Sequence, residues 1–170
     1  SIMKLIINAT SIFKGGGKVV LDELLSGTLK KKIRNVIIFN DNRLYFENNK
    51  FKNQVISGNY FTKYIKLLFF IKKIESQEEV LLINLNSIPL PLIRSKQWVL
   101  FQNRMLLLKC IPKFEFSSML KALIFFIIFK FCSPKNLKVV YHLDETLVYL
   151  KEINKKCTYI KASLVNNSII

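Results

Sequence analysis

Lys4-Leu5-Ile6-Ile7-Asn8-Ala9-Thr10-Ser11 leads through Ile12-Phe13-Lys14 into Gly15-Gly16-Gly17-Lys18, and then into the helical pattern Val19 to Leu29. Lys4 to Ile7 is an apolar strand pattern, so the order is strand, small polar residues, three glycines, helix. That order builds a phosphate pocket. Glycines let a backbone approach a ligand closely, and a helix N-terminus presents unpaired N–H groups together with the positive end of its dipole. The stretch Gly15 to Val20 departs from both G-x-G-x-x-G and G-x-x-x-x-G-K-[ST], and three glycines alone equally suit a flexible turn. The surrounding pattern is what favours an anion site.

Working outward, the same alternation continues. Strand patterns fall at Asn35 to Phe39, Arg43 to Phe46, Gln54 to Ser57, Glu79 to Asn84, Gln97 to Gln102 and Leu137 to Tyr141; helical ones at Gly17 to Leu29, Tyr60 to Ile74, Phe116 to Phe131 and Thr146 to Asn154. Val36-Ile37-Ile38-Phe39 and Val80-Leu81-Leu82-Ile83 are apolar without interruption, as strands buried on both faces must be. The pattern predicts an α/β, Rossmann-like domain: a mostly parallel sheet with helices on both faces. Ligands in such sheets sit beyond the carboxyl ends of the strands, where Asn8, Asn84 and Gln102-Asn103-Arg104 fall. Asn40-Asp41-Asn42-Arg43 is a polar turn expected to close a hairpin. Pro89-Leu90-Pro91 makes a rigid loop.

Ile6-Ile7-Asn8-Ala9-Thr10-Ser11, followed by Gly15-Gly16-Gly17 and an aliphatic helix, resembles the opening of glycosyltransferases with the GT-B fold, in the large retaining family that builds bacterial polysaccharides. Trp98-Val99-Leu100-Phe101-Gln102-Asn103-Arg104 is similar to a strand of that family's N-terminal domain. The resemblance covers most of the 170 residues in order. It implies one half of a two-domain enzyme: a single domain, 1–170, that binds acceptor, with the C-terminal donor-binding domain and its acidic motif absent. Such a half is expected to be inactive alone and to need that domain or a separate subunit. The implied reaction is transfer from a nucleotide sugar to a lipid-linked or saccharide acceptor, without a metal or a cofactor beyond the donor substrate.

The resemblance also distributes roles. Gly15, Gly16, Gly17 and Lys18 would meet the donor diphosphate or an acceptor phosphate; Asn8, Ser11, Asn103 and Arg104 would meet acceptor. Many members carry a histidine where this chain has Gln102-Asn103-Arg104, which puts a histidine-assisted mechanism in doubt. The single histidine, His142, stands at a strand end before Asp144-Glu145, where it is either a general base or a solvated loop residue. Neither acidic nor cysteine spacing suggests a metal.

Lys and Arg number 27 against 11 Asp and Glu, a net charge of +16, which suits anionic partners. Lys greatly outnumbers Arg, whereas readers of phosphate and guanine favour Arg, so nucleic acid is disfavoured. Three dispersed cysteines, Cys110, Cys132 and Cys157, give neither a disulfide framework nor a zinc site, which implies a reduced cytoplasmic setting. Ala122 to Phe129 is an apolar run bracketed by Lys121 and Lys130, far short of a membrane span. Leu67 to Ile71, flanked by Lys63, Lys66, Lys72 and Lys73, repeats it. Both suit either a core or peripheral attachment to anionic lipid on the inner face of the cytoplasmic membrane. The alternative function is a non-catalytic basic module docking on membrane or nucleic acid.

Overall fold

The computed structural model describes residues 3–12, 15–31, 33, 35–43, 51–107 and 116–162. Its strands are β1 (Lys4–Ala9), β2 (Val36–Asn40), β3 (Lys52–Val55), β4 (Val80–Asn84), β5 (Lys96–Phe101), β6 (Leu137–Tyr141) and β7 (Thr158–Lys161). Its helices are α1 (Gly16–Lys30), α2 (Tyr60–Glu75), α3 (Phe116–Phe131) and α4 (Asp144–Ile153). The strands form one sheet in the order β3-β2-β1-β4-β5-β6-β7, and every pairing is parallel. The fold is therefore α/β and Rossmann-like.

Strand alternation assigns the layers. Leu5, Ile7 and Ala9 of β1, with Val36 and Ile38 of β2, pack under Leu21 and Leu25 of α1. Ile6, Ile37, Phe39 and Leu82 point the other way, onto Leu67 and Ile71 of α2. Val99, Phe101, Val139 and Tyr141 continue that second face under Phe125 and Phe129 of α3 and Leu150 of α4. Tyr64 packs against both clusters and joins them. Burying each such side chain stabilises the fold by about 1.5–3 kcal/mol, so both-face burial is what forces an all-parallel sheet between helical layers.

Local chemistry starts and stops the elements. Gly58, at φ 127°, turns the chain after β3, and Asn59 then caps α2 by accepting from the Thr62 N–H at 2.8 Å. Asp144 and Glu145 occupy the first turn of α4, where carboxylates complement the helix dipole.

The hairpin expected at Asn40–Arg43 does not form. Both edges of β2 are taken by parallel neighbours, β1 and β3. An interior strand has no edge left for an antiparallel return. The turn itself is there: the Asp41 carboxylate accepts from the Arg43 N–H at 2.9 Å, the local side-chain bond that favours Asp in turns. The remainder of the strand expected at Arg43 to Phe46 lies outside the described residues. Conversely, β7 carries no apolar run and escaped the pattern.

Candidate functional site

The strand order changes side between β1 and β4: β1 leads leftward to β2 and β3, whereas β4 opens the rightward half. The carboxyl ends of these two strands mark the switch point, the place where open α/β sheets bind ligands. Here it is lined by an amide network. Asn8 and Asn84 are register partners, and Asn8 Nδ2 donates to Asn84 Oδ1 at 2.9 Å. Thr10 Oγ1 donates to Asn8 Oδ1 at 2.9 Å, and Asn86 Nδ2 donates to Thr10 Oγ1 at 2.8 Å. Asn84 Nδ2 donates to the Ile88 carbonyl at 2.7 Å. The network stitches the β1 loop to the β4 loop.

Asn8 is only 1% exposed, with both side-chain atoms engaged inside the protein. It shapes the edge rather than presenting itself to solvent. Asn8-Ala9-Thr10 has the N-x-T form of a glycosylation sequon, but burial closes Asn8 to modification.

Gly15 is the N-cap of α1, at φ 69° and ψ −154°, a conformation that L side chains rarely adopt. Gly16 and Gly17 lie inside the first helical turn rather than in a loop. No heavy atom approaches a Cβ built on Gly15 or Gly16, so the helix end is open on that side. Among the described residues no side chain caps it, and its first turn carries no acid. An anion approaching this end meets N–H groups without a competing carboxylate. A Cβ on Gly17 would come within 2.8 Å of Ile12 Cδ1, so the glycine lets the β1 loop fold back against α1. Lys18 Nζ is paired with Asp22, one turn on, at 2.8 Å. Ser11 is half-buried in the same β1 loop.

Ser87 organises the next part of the edge. It is buried, at φ 63°, and its Oγ donates to the Leu100 carbonyl at 3.2 Å while accepting from the Gln102 N–H at 3.1 Å. Strain of this kind concentrates where surrounding structure fixes a functional loop. Asn103 Oδ1 accepts from the Met105 N–H at 3.0 Å, capping a short 3-10 turn, Arg104–Leu106. Arg104 Nη2 stands 3.4 Å from Glu145 Oε2, both exposed. Such a pair contributes little.

His142 follows β6 and is exposed. Its strand lies three places from β1 in the sheet, so at about 4.8 Å per strand β6 runs roughly 14 Å from β1. Asn8 ends β1, Ser11 lies in the loop after it and Gly15–Lys18 begin α1, whereas Asn103 and Arg104 follow β5, two strands from β1, and His142 follows β6, farther still. Among the described residues no group of three or more His, Cys, Asp or Glu side chains is placed to hold a metal ion.

The sequence did not single out Asn86 or Ser87, and it marked Thr10 only within the family-like stretch and Asn40 only as a turn residue. Asn40 Oδ1 and Asn86 Oδ1 are buried with no partner among the described residues, and a buried polar atom left unpaired costs about 1–3 kcal/mol. Beside Asn40 sits Asp41, whose side chain is fully buried. Arg43 grips it through Nε at 2.7 Å and Nη2 at 2.8 Å, and Lys63 approaches from α2. Hydrogen bonds from Arg43, with Lys63 assisting, hold the Asp41 carboxyl well below the usual carboxylate range against the opposing effect of burial. The visible signal for these residues was a polar residue at each strand's end.

No family model, curated protein or solved structure matches the chain.

Proposed function

We propose that this domain is the acceptor-binding half of a glycosyltransferase acting on nucleotide sugars, with a lipid-linked or saccharide acceptor. One observation carries the reading: an uncapped, acid-free helix N-terminus opening at Gly15 beside the β1/β4 switch point. Sugar transfer needs a departing diphosphate stabilised and an acceptor held near the anomeric carbon. Backbone N–H groups of Gly15 to Gly17 would supply the first requirement, the Lys18 N–H being already donated to the Gly15 carbonyl. Ser11 and the edge held by Ser87, including Asn103 and Arg104, offer polar groups for the second. Asn8 acts as a positioning residue within this scheme, and His142 would join the chemistry only if the acceptor extends across the edge toward β6.

Inorganic pyrophosphate titrated into 15N-labelled protein tests this directly. Saturable shifts are expected at the amides of Gly15 to Val19, weakened at least tenfold in affinity by Gly16→Asp, which sets a carboxylate at the helix end. Absence of such shifts overturns the reading. Transfer of sugar is expected only when a donor-binding domain is supplied; turnover by this chain alone would also defeat it.

A further inference from the structure

We propose that the outward face of α3 is a docking surface for an anionic lipid bilayer. This goes beyond sugar transfer and stands independently of it, because α3 packs on the sheet face opposite α1.

Helical spacing divides α3 into two apolar halves. Ala122, Phe125 and Phe129 face the sheet and are at most 1% exposed, with the Phe125 ring tilted against Phe101 at a centroid distance of 5.3 Å and stacked on Phe129 at 5.2 Å. The opposite half should then be polar if it faced water alone. Instead it carries Phe116, Leu120, Leu123, Ile127 and Phe131, exposed by 45–80%. These follow i, i+4, i+7, i+11 and i+15, one continuous stripe. Exposed apolar patches of this kind mark interaction surfaces.

Charge selects the occupant. α3 contains no Asp or Glu, and its two lysines lie at the stripe's flanks. Lys121 Nζ is 5.8 Å from the Tyr60 ring centroid, and Lys130 Nζ is 5.4 Å from that of Phe131. Aromatic and aliphatic side chains at the centre with lysine stems at the rim match an interface between acyl chains and anionic headgroups. The contact at Tyr60 also sets the start of α2 beside α3. At 16 residues the helix is about 24 Å long. None of the described helices is long and apolar enough to cross a membrane, so α3 lies flat.

Flotation with phosphatidylglycerol/phosphatidylcholine vesicles at low salt tests the idea. Binding is expected, falling at least tenfold when phosphatidylglycerol is omitted. Leu123→Glu and Ile127→Glu, both at exposed positions, are each expected to lower the partition coefficient by about tenfold or more without shifting the thermal melt. Orientation has its own readout: brominated lipid should quench Phe131→Trp strongly and leave Trp98, on the opposite sheet face, unquenched. No vesicle binding, binding indifferent to the glutamates, or quenching of Trp98 alone overturns the proposal. A dimer dissolved by Ile127→Glu without vesicle binding would assign the face to a second copy instead. Pyrophosphate shifts at α1 without flotation would sink this inference and leave the sugar-transfer reading standing; the reverse result would do the opposite.

Discussion

Replacing Asp41 with Asn removes one charge from a fully buried carboxylate while keeping its shape. Arg43 is about half exposed, so water screens its pairing with Asp41 and the loss there is modest. Lys63 has a side-chain exposure of only 13% and keeps its charge beside a neutral partner. Charge-assisted hydrogen bonds to buried groups contribute about 1.5–3 kcal/mol each, and exposed ones a fraction of that. Together the substitution should cost about 3 kcal/mol, or roughly 6–12 °C in Tm for a domain of this size.

The pH dependence follows from the sign of the shift. Asp41 has its pKa lowered in the folded protein, so the unfolded state binds the proton more readily. Its contribution is complete above the unfolded value of about 3.9 and is lost as pH falls from there through the folded value. Urea unfolding of wild type and Asp41→Asn should therefore differ by about 3 kcal/mol at about pH 7 and by clearly less at about pH 2.5. Titration of the remaining carboxylates largely cancels in the difference. A gap under 1 kcal/mol at neutral pH, or one independent of pH, would refute the reasoning.

Two further outcomes are expected. Gln97 is fully buried and clasps both backbone groups of Leu90, accepting from its N–H at 2.8 Å and donating to its carbonyl at 3.0 Å. Gln97→Leu leaves both orphaned and should cost about 2–4 kcal/mol, with hydrogen exchange at Leu90 rising by orders of magnitude; unchanged protection would show that the clasp does not hold the loop. Cys132 is exposed, whereas burial pushes the half-buried Cys157 thiol up to about 11. N-ethylmaleimide near neutral pH should modify Cys132 well before Cys157, and peptide mapping showing equal rates would contradict the burial.

The amino-acid sequence alone determined the layer architecture, because Val36–Phe39 and Val80–Ile83 can be satisfied only between two helical layers. It also placed α1 directly after β1, since three glycines and an aliphatic 3.6-residue period are local signals. β7 was illegible for a related reason: Thr158-Tyr159-Ile160-Lys161 is a half-exposed edge strand with no uninterrupted apolar run. Only the tertiary structure decided the strand order. Periodicity says which side chains are buried, not which strand lies beside which. That order brings Asn8 against Asn84, 76 residues apart, and closes β2 on both edges, turning an expected hairpin into a parallel crossing. It also decided which half of α3 meets the sheet. An evenly apolar helix carries no such instruction, and the outward stripe exists because the sheet could cover only one side.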